Sequence, residues 1–204
     1  MFYAAKSGMN APSKLLLALT AVAALSVAYP AKANLIPNPG FETGDFTGWS
    51  ASTAGTASAS VQGTFGGIAP HSGNFQAVVG LPDSNAAANL VSQFFTTPGT
   101  TYTVDFFLAL SGQGSIGVTF GIVPIFTHTF SSGFGYTEYT FNVTASTNPN
   151  FLQFLFANGQ AATFYLDDVS VNPAVLGVPD GGSTLPLLGF ALLGLAAVRR
   201  KLSC

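Results

Sequence analysis

Between Asn34 and Val178 the chain has no lysine and no arginine. Its six basic residues are Lys6, Lys14 and Lys32 before that stretch and Arg199, Arg200 and Lys201 after it. The acids remain inside: Glu42, Asp45, Asp83, Asp105, Glu138, Asp167 and Asp168, a formal charge of −7 that the whole-chain value of −2 conceals. A domain without a cation cannot neutralise phosphates, which argues against nucleic acid as a partner. Anionic lipid and anionic polysaccharide are disfavoured for the same reason. Neutral glycans, divalent cations and protein surfaces stay open. Cysteine is nearly missing too. The only one is Cys204, the last residue, so no disulfide staples the domain. A bound metal is one substitute staple. Catalytic patterns are also scarce. His71 and His128 are the only histidines, and there is no G-x-S-x-G elbow and no metal-ligand histidine spacing. Glycosidase chemistry needs two carboxylates flanking one bond. Glu42 with Glu138 could form such a pair, but no cluster of aromatics and acids supports it. The sequence therefore reads as non-enzymatic.

What is present is clearest at the two ends. Lys6 and Lys14 precede the apolar run Leu15–Ala28, Tyr29-Pro30 breaks it, and Ala31-Lys32-Ala33 offers a small-residue cleavage site. Charge, length and pattern make residues 1–33 a secretory signal peptide for the secretion translocon. Translation could start at Met1 or Met9. At the other end, residues 173–184 are a linker ending in Val178-Pro179-Asp180-Gly181-Gly182-Ser183-Thr184, a polar segment that proline and glycine keep out of regular pairing. Residues 185–198 are apolar on every side and carry no charge. As a helix they would reach about 21 Å, short against a hydrocarbon core of about 30 Å. The basic tail 199–204 then acts as a positive-inside stop through Arg199, Arg200 and Lys201, whose long side chains can snorkel.

This tripartite tail resembles the PEP-CTERM class of bacterial sorting signals in its VPDSG variant, with Gly181 where the variant has serine. The resemblance implies that 178–184 is read and cut by an exosortase-type enzyme. The protein would then belong to the bacterial envelope, cell surface or extracellular matrix, with transient or permanent membrane anchoring through the tail.

Residues 34–172 hold 17 Phe, four Tyr and Trp49, enough for one core. Short apolar segments alternate with Gly/Pro/Asn turns, and none keeps a helical period. Leu35–Phe41 reads as a first strand. Residues 51–59 form a weak strand or loop, and Phe75–Gly80 a short apolar strand. Asn89–Phe95 pairs as a hairpin with Thr101–Leu110 across Pro98-Gly99. In that second strand Tyr102, Val104, Phe106, Leu108 and Leu110 share a face, leaving Phe107 on the other, suited to a surface role. Ser115–Phe120, Phe126–Phe130, Tyr136–Thr144, Phe151–Phe156 (buried on both faces) and Thr163–Val171 follow. Eight to nine antiparallel strands of this kind predict an all-β sandwich.

The ordered set Asn34-Leu35-Ile36-Pro37-Asn38-Pro39-Gly40-Phe41-Glu42, Gly48-Trp49, His71-Ser72-Gly73, Val91-Ser92-Gln93, Pro98-Gly99-Thr100-Thr101-Tyr102 and Tyr165–Val171 resembles the galactose-binding-like jelly rolls of the carbohydrate-binding module family 4/9 type. The resemblance implies adjacent terminal strands and a structural Ca²⁺. Its ligands would be Gly40 through its carbonyl, Glu42, and Asp167 or Asp168. Carboxylates with no basic partner repel unless a cation sits among them, and oxygen donors suit calcium. Strand alternation puts Asp167 on the face of Val169 and Val171 and turns Asp168 away. Trp49 is expected in the core rather than as a sugar platform. The sequence leans to a structural surface or matrix protein, with a binding module for neutral polysaccharide as the alternative. The second requires a feature the first does not, two or three aromatics exposed along a groove or rim.

Overall fold

The computed structural model describes residues 34–174, with the side chains of Asn158 and Gly159 excepted. The expected signal peptide, the sorting motif, the apolar run and the basic tail lie outside the described residues. Among the described residues no helix is long and apolar enough to cross a membrane.

Eight strands follow in order: β1 Ser50–Ala54, β2 Ser58–Gln62, β3 Gln76–Leu81, β4 Ala87–Phe94, β5 Thr101–Phe120, β6 Val123–Phe130, β7 Phe134–Thr144 and β8 Asn150–Pro173. β5 and β8 are antiparallel partners along nearly their whole length, from Tyr102 opposite Pro173 to Phe120 opposite Leu152. This long ribbon folds over on itself and contributes to both layers. One layer runs β1-β4-β8-β5-β6, using the first half of β8 and the second half of β5. The other runs β2-β3-β8-β5-β7, using the remaining halves. The result is an antiparallel jelly-roll sandwich.

The fold-over has a local cause. The β5–β8 register shifts around Gln113, and Gly112 sits at φ 90°. A Cβ on Gly112 would stand 2.6 Å from the Ala161 carbonyl, so only glycine lets the strands approach there. Opposite it, Ala161 also has positive φ.

Inside, alternation does what the sequence predicts. Tyr102, Val104, Phe106, Leu108 and Leu110 are buried. Phe154, Phe156, Phe164, Leu152 and Leu166 meet them from β8. Each fully buried large apolar side chain contributes about 1.5–3 kcal/mol. Trp49 is 7 % exposed and packs on Phe41 and Phe154, as expected of a core residue.

Several sequence expectations need correcting. Residues 35–41 form no strand. Pro37 and Pro39 cannot donate to a ladder, and Asn38 and Phe41 have positive φ. The segment is instead pinned along β8, Leu35 N donating to Val171 O and Val169 N to Pro39 O, so the terminal segments are adjacent. Residues 51–59 contribute to two strands, β1 and β2. β4 does not form a hairpin with β5. The 95–100 connection crosses between layers, and β4 pairs with β1 and β8. Residues 115–120 and 101–110 are one strand, as are 151–156 and 163–171. Residues 151–156 are not buried on both faces: Leu155 is 46 % exposed.

Candidate functional site

Two features of the sandwich carry chemistry. The first is a knot of acids that holds the 63–75 connection over the outer face of the β2-β3-β8-β5-β7 layer. Asp168 has φ 46°, which breaks strand alternation. The sequence expectation that the Asp167 and Asp168 side chains diverge is therefore wrong. Both carboxylates turn to residues 71–72. Asp167 Oδ2 accepts from His71 N at 2.8 Å and Ser72 N at 3.3 Å, and its Oδ1 accepts from Asp168 N at 2.8 Å. Asp168 Oδ1 accepts from the Ser72 hydroxyl at 2.7 Å, and its Oδ2 lies 2.7 Å from His71 Nδ1. Glu42 accepts from the backbone N–H groups of Asn74 and Phe75.

Asp167 is fully buried. That burial pushes its carboxyl up to about 6; the adjacent Asp168 charge adds to the rise and the backbone donors pull against it. Tyr136, mostly buried and facing both aspartates, is raised far above the usual phenol value, chiefly by desolvation. Its hydroxyl donates to Gln76 Oε1 at 2.5 Å. Beneath the 63–75 connection a small second core gathers Val78, Ala109 and Tyr165, with Ile68 and Tyr136 against it. Phe107 does face outward, but it is covered: the His71 ring stacks on it with centroids 3.6 Å apart. It has no open surface role.

Of the residues the sequence suggested for calcium, Gly40, Asp167 and Asp168 lie together, and the Glu42 carboxylate does not join them. The Asp167 and Asp168 carboxylates are oxygen donors of the kind calcium takes, and each of their four oxygens already accepts from a protein donor, Asp168 Oδ2 from His71 Nδ1. Gly40 leaves room for an ion. A Cβ there would stand 3.3 Å from Asp168 Oδ1, 3.5 Å from Asp167 Oδ1 and 3.7 Å from Glu42 Cγ. Asp167, Asp168 and Gly40 stand together. Glu42 turns its carboxylate to the Asn74 and Phe75 amides instead. Among the described residues no group of three or more Asp, Glu, His or Cys side chains stands close enough to hold a metal.

The second feature is the outer face of the β1-β4-β8-β5-β6 layer. Register aligns Asn89, Leu155, Gly117 and Thr127 in one row and Val91, Gln153, Thr119 and Pro124 in the next. A shallow groove of about 350 Å³ lies over Ser115, Gly117, Thr119, Thr127, Gln153 and Leu155. A second hollow, of about 570 Å³, continues over Ser50, Val91, Gln93 and Phe151 to Pro37 and Trp49. No lining residue of either is charged. Beside Leu155, Asn89 Oδ1 is buried without a hydrogen-bond partner. This face was not legible in the sequence. Its signal was alternation in 151–157, hidden because Phe151 and Leu155 are apolar at outward positions.

With this geometry in view, the jelly roll is similar in fold to several solved domains. The described domain is similar to TmCBM61, solved in complex with β-1,4-galactotriose, with a TM-score of 0.58 and 18 % identity over 70 % of this chain and 99 % of that one. It is similar to the CBM22-1 xylan-binding domain of Paenibacillus barcinonensis Xyn10C, with a TM-score of 0.51 and 13 % identity over 72 % and 97 %. The K1 cleaved adhesin domain of Lys-gingipain from Porphyromonas gingivalis W83 matches with a TM-score of 0.51 and 13 % identity over 66 % and 96 %. At these identities the likeness is one of fold. None of the curated proteins compared matches the sequence. The tail is more specific: residues 177–202 match the VPDSG-CTERM motif. That motif points to an exported, cell-surface protein and implies processing by an exosortase-type enzyme.

Proposed function

We propose that this protein is displayed outside the cell by its VPDSG-CTERM tail and that its jelly roll binds a neutral polysaccharide, without catalysis, along the outer face of the β1-β4-β8-β5-β6 layer. One observation carries the reading: the two hollows on this face are continuous in register and lined without a single charge. Sugar rings present C–H faces and hydroxyl edges. Leu155, Phe151 and Val91 suit the first, and Gln153, Gln93, Thr119 and Thr127 suit the second. A domain of charge −7 would repel an anionic polymer, which selects neutral glycans.

The proposal includes one structural calcium at the knot, held by Asp167, Asp168 and the Gly40 carbonyl. Supplied there, the ion would neutralise two adjacent carboxylates and fix the 63–75 connection to the terminal segments. Its site lies on the opposite layer from the groove, so its role is stability and not sugar contact.

The test is retention of residues 34–174 on insoluble neutral polysaccharides and glycan arrays, with calcium and with chelator. Specific retention that drops for Gln153→Ala and Leu155→Asp supports the reading. A domain that melts cooperatively yet binds no glycan returns the protein to the second reading, a structural component of the surface or matrix. That reading is favoured by one observation: the large exposed aromatics Phe65 and Phe95 lie outside the lining of both hollows.

A further inference from the structure

Five large apolar side chains are exposed among the described residues; Phe65 and Leu155 stand elsewhere, and the other three cluster. Ile122 is 84 % exposed, Phe95 76 % and Val123 38 %. All three lie at one end of the sandwich. Phe94, the last residue of β4, pairs with Asn150 at the start of β8, and Gly121 N donates to Phe151 O on the other side of β8. Phe95 and Ile122 therefore emerge from strands flanking β8, about 10 Å apart at two strand spacings.

The chain leaves the domain at the same end. Ala174 N donates to Thr101 O. Tyr102, the next residue, stacks on Phe120, which also packs on Phe94. Tyr102 also accepts from Thr97 N through its hydroxyl. A continuous path of contacts thus joins the exit point to Phe95 and Ile122. Beyond Ala174, residues 175–184 can span at most about 35 Å before the apolar run at Leu185.

We propose that this end of the sandwich is a membrane-docking tip: while the tail is uncut, Phe95, Ile122 and Val123 seat in the interfacial layer of the bilayer that receives the apolar run 185–198. The inference rests on the reading of that run as a membrane segment. Its occupant is a lipid surface, for three reasons. The tether keeps this end within one domain diameter of the bilayer, raising its effective concentration there. The patch is purely apolar, which suits burial at the headgroup–acyl boundary. The domain has no Lys or Arg and a charge of −7, so the surface must be zwitterionic, not anionic. Docking would hold the sorting motif close to a membrane-embedded processing enzyme.

The experiment uses residues 34–204 with Cys204→Ser, reconstituted in phosphatidylcholine vesicles with or without brominated acyl chains. A polarity-sensitive fluorophore is placed singly on Phe95→Cys, Ile122→Cys, Leu192→Cys, and Phe65→Cys, whose site is 46 % exposed on the 63–68 turn. Blue-shifted emission and bromine quenching are expected at 95, 122 and 192, with neither at 65. With the label on Val123→Cys, the Phe95→Ser plus Ile122→Ser pair should lose most of that quenching. Insertion driven by the probe alone would survive the pair and overturn the proposal. Silence at 95 and 122 with quenching at 192 overturns the docking tip and leaves the tail reading intact. Silence at all three overturns both. Quenching equal at 65, 95 and 122 overturns it as nonspecific adsorption. A label at 122 that ignores vesicles but shifts on adding a polysaccharide overturns it in favour of a glycan contact.

Discussion

The imidazole of His71 lies on the ring of Phe107, centroids 3.6 Å apart and planes 15° from parallel, while its Nδ1 donates to Asp168 Oδ2 at 2.7 Å. One side chain thus ties the 63–75 connection to β5 and to β8. Removing it with His71→Ala should cost about 1–2 kcal/mol, from a lost aromatic pair and a charge-assisted hydrogen bond. The loss should appear in a denaturant melt, and amide exchange should quicken across residues 66–74. His71→Phe should keep the stack and recover part of the loss. Equal melts for all three proteins would mean the connection is held without His71.

Acid should stabilise the metal-free domain before it unfolds it. Asp167 titrates near 6 when folded, against about 3.9 in an unfolded chain. Between those values the folded state holds a proton that the unfolded state has released. Stability therefore falls as pH rises through about 4 to 6 and is level above that. Asp45 and Asp83 shift the other way, held below the usual range mainly by the hydroxyls of Thr47 and Thr56. Their contribution is present above about 4 and is lost below it. In chelator the melting temperature should thus peak near pH 4–5, and Asp167→Asn should flatten the slope above the peak. A melting temperature that does not change between pH 5 and 7 would count against the buried charge.

The proposed calcium would make the opposite demand on the same carboxylates. An ion between Asp167 and Asp168 needs both ionised, so its effect should be largest at pH 7 and fade toward pH 5. At pH 7, calcium in large excess over its dissociation constant should raise stability by about 2–3 kcal/mol. Asp168→Asn should abolish the response. Melts that coincide in calcium and chelator at pH 7 would show that the donors to these acids come from the protein alone.

The core was legible in the sequence because alternation survives where one face is buried. Tyr102 through Leu110 could be assigned to the inside from spacing alone, and Trp49 through the resemblance of Gly48-Trp49 to the family. The approach of Gly40 to Asp167 and Asp168 was legible only through the family resemblance, and Glu42 does not join them. Three other features were hidden. The fold-over of β5 and β8 depends on Gly112 and Ala161 at positive φ, and neither interrupts the apolar pattern enough to mark a bend inside a long strand. The outer groove was concealed because its floor uses apolar residues, Leu155 and Phe151, at positions where a half-buried strand normally shows polar ones. The coupling of Asp167 to His71 spans 96 residues and has no local signature.

Gly117 offers the sharpest test of the groove. It sits between Leu155 and Thr127 in register, in ordinary extended backbone, and a Cβ there meets nothing within 4 Å. Gly117→Leu should therefore leave the fold intact, and a branched side chain suits a strand better than glycine does. It fills the hollow and removes the room a sugar ring would need. Polysaccharide retention should fall at least about tenfold, equivalent to about 1.4 kcal/mol, while the melting temperature stays level or rises. Gly114 is the matched control on the same strand. Its Cβ would stand 2.8 Å from the Phe164 ring, so Gly114→Leu should destabilise the domain by over-packing, about 1–3 kcal/mol. Loss of binding in the first variant without loss of stability separates obstruction of a surface from damage to the fold. Unchanged retention in Gly117→Leu would move glycan binding off this face.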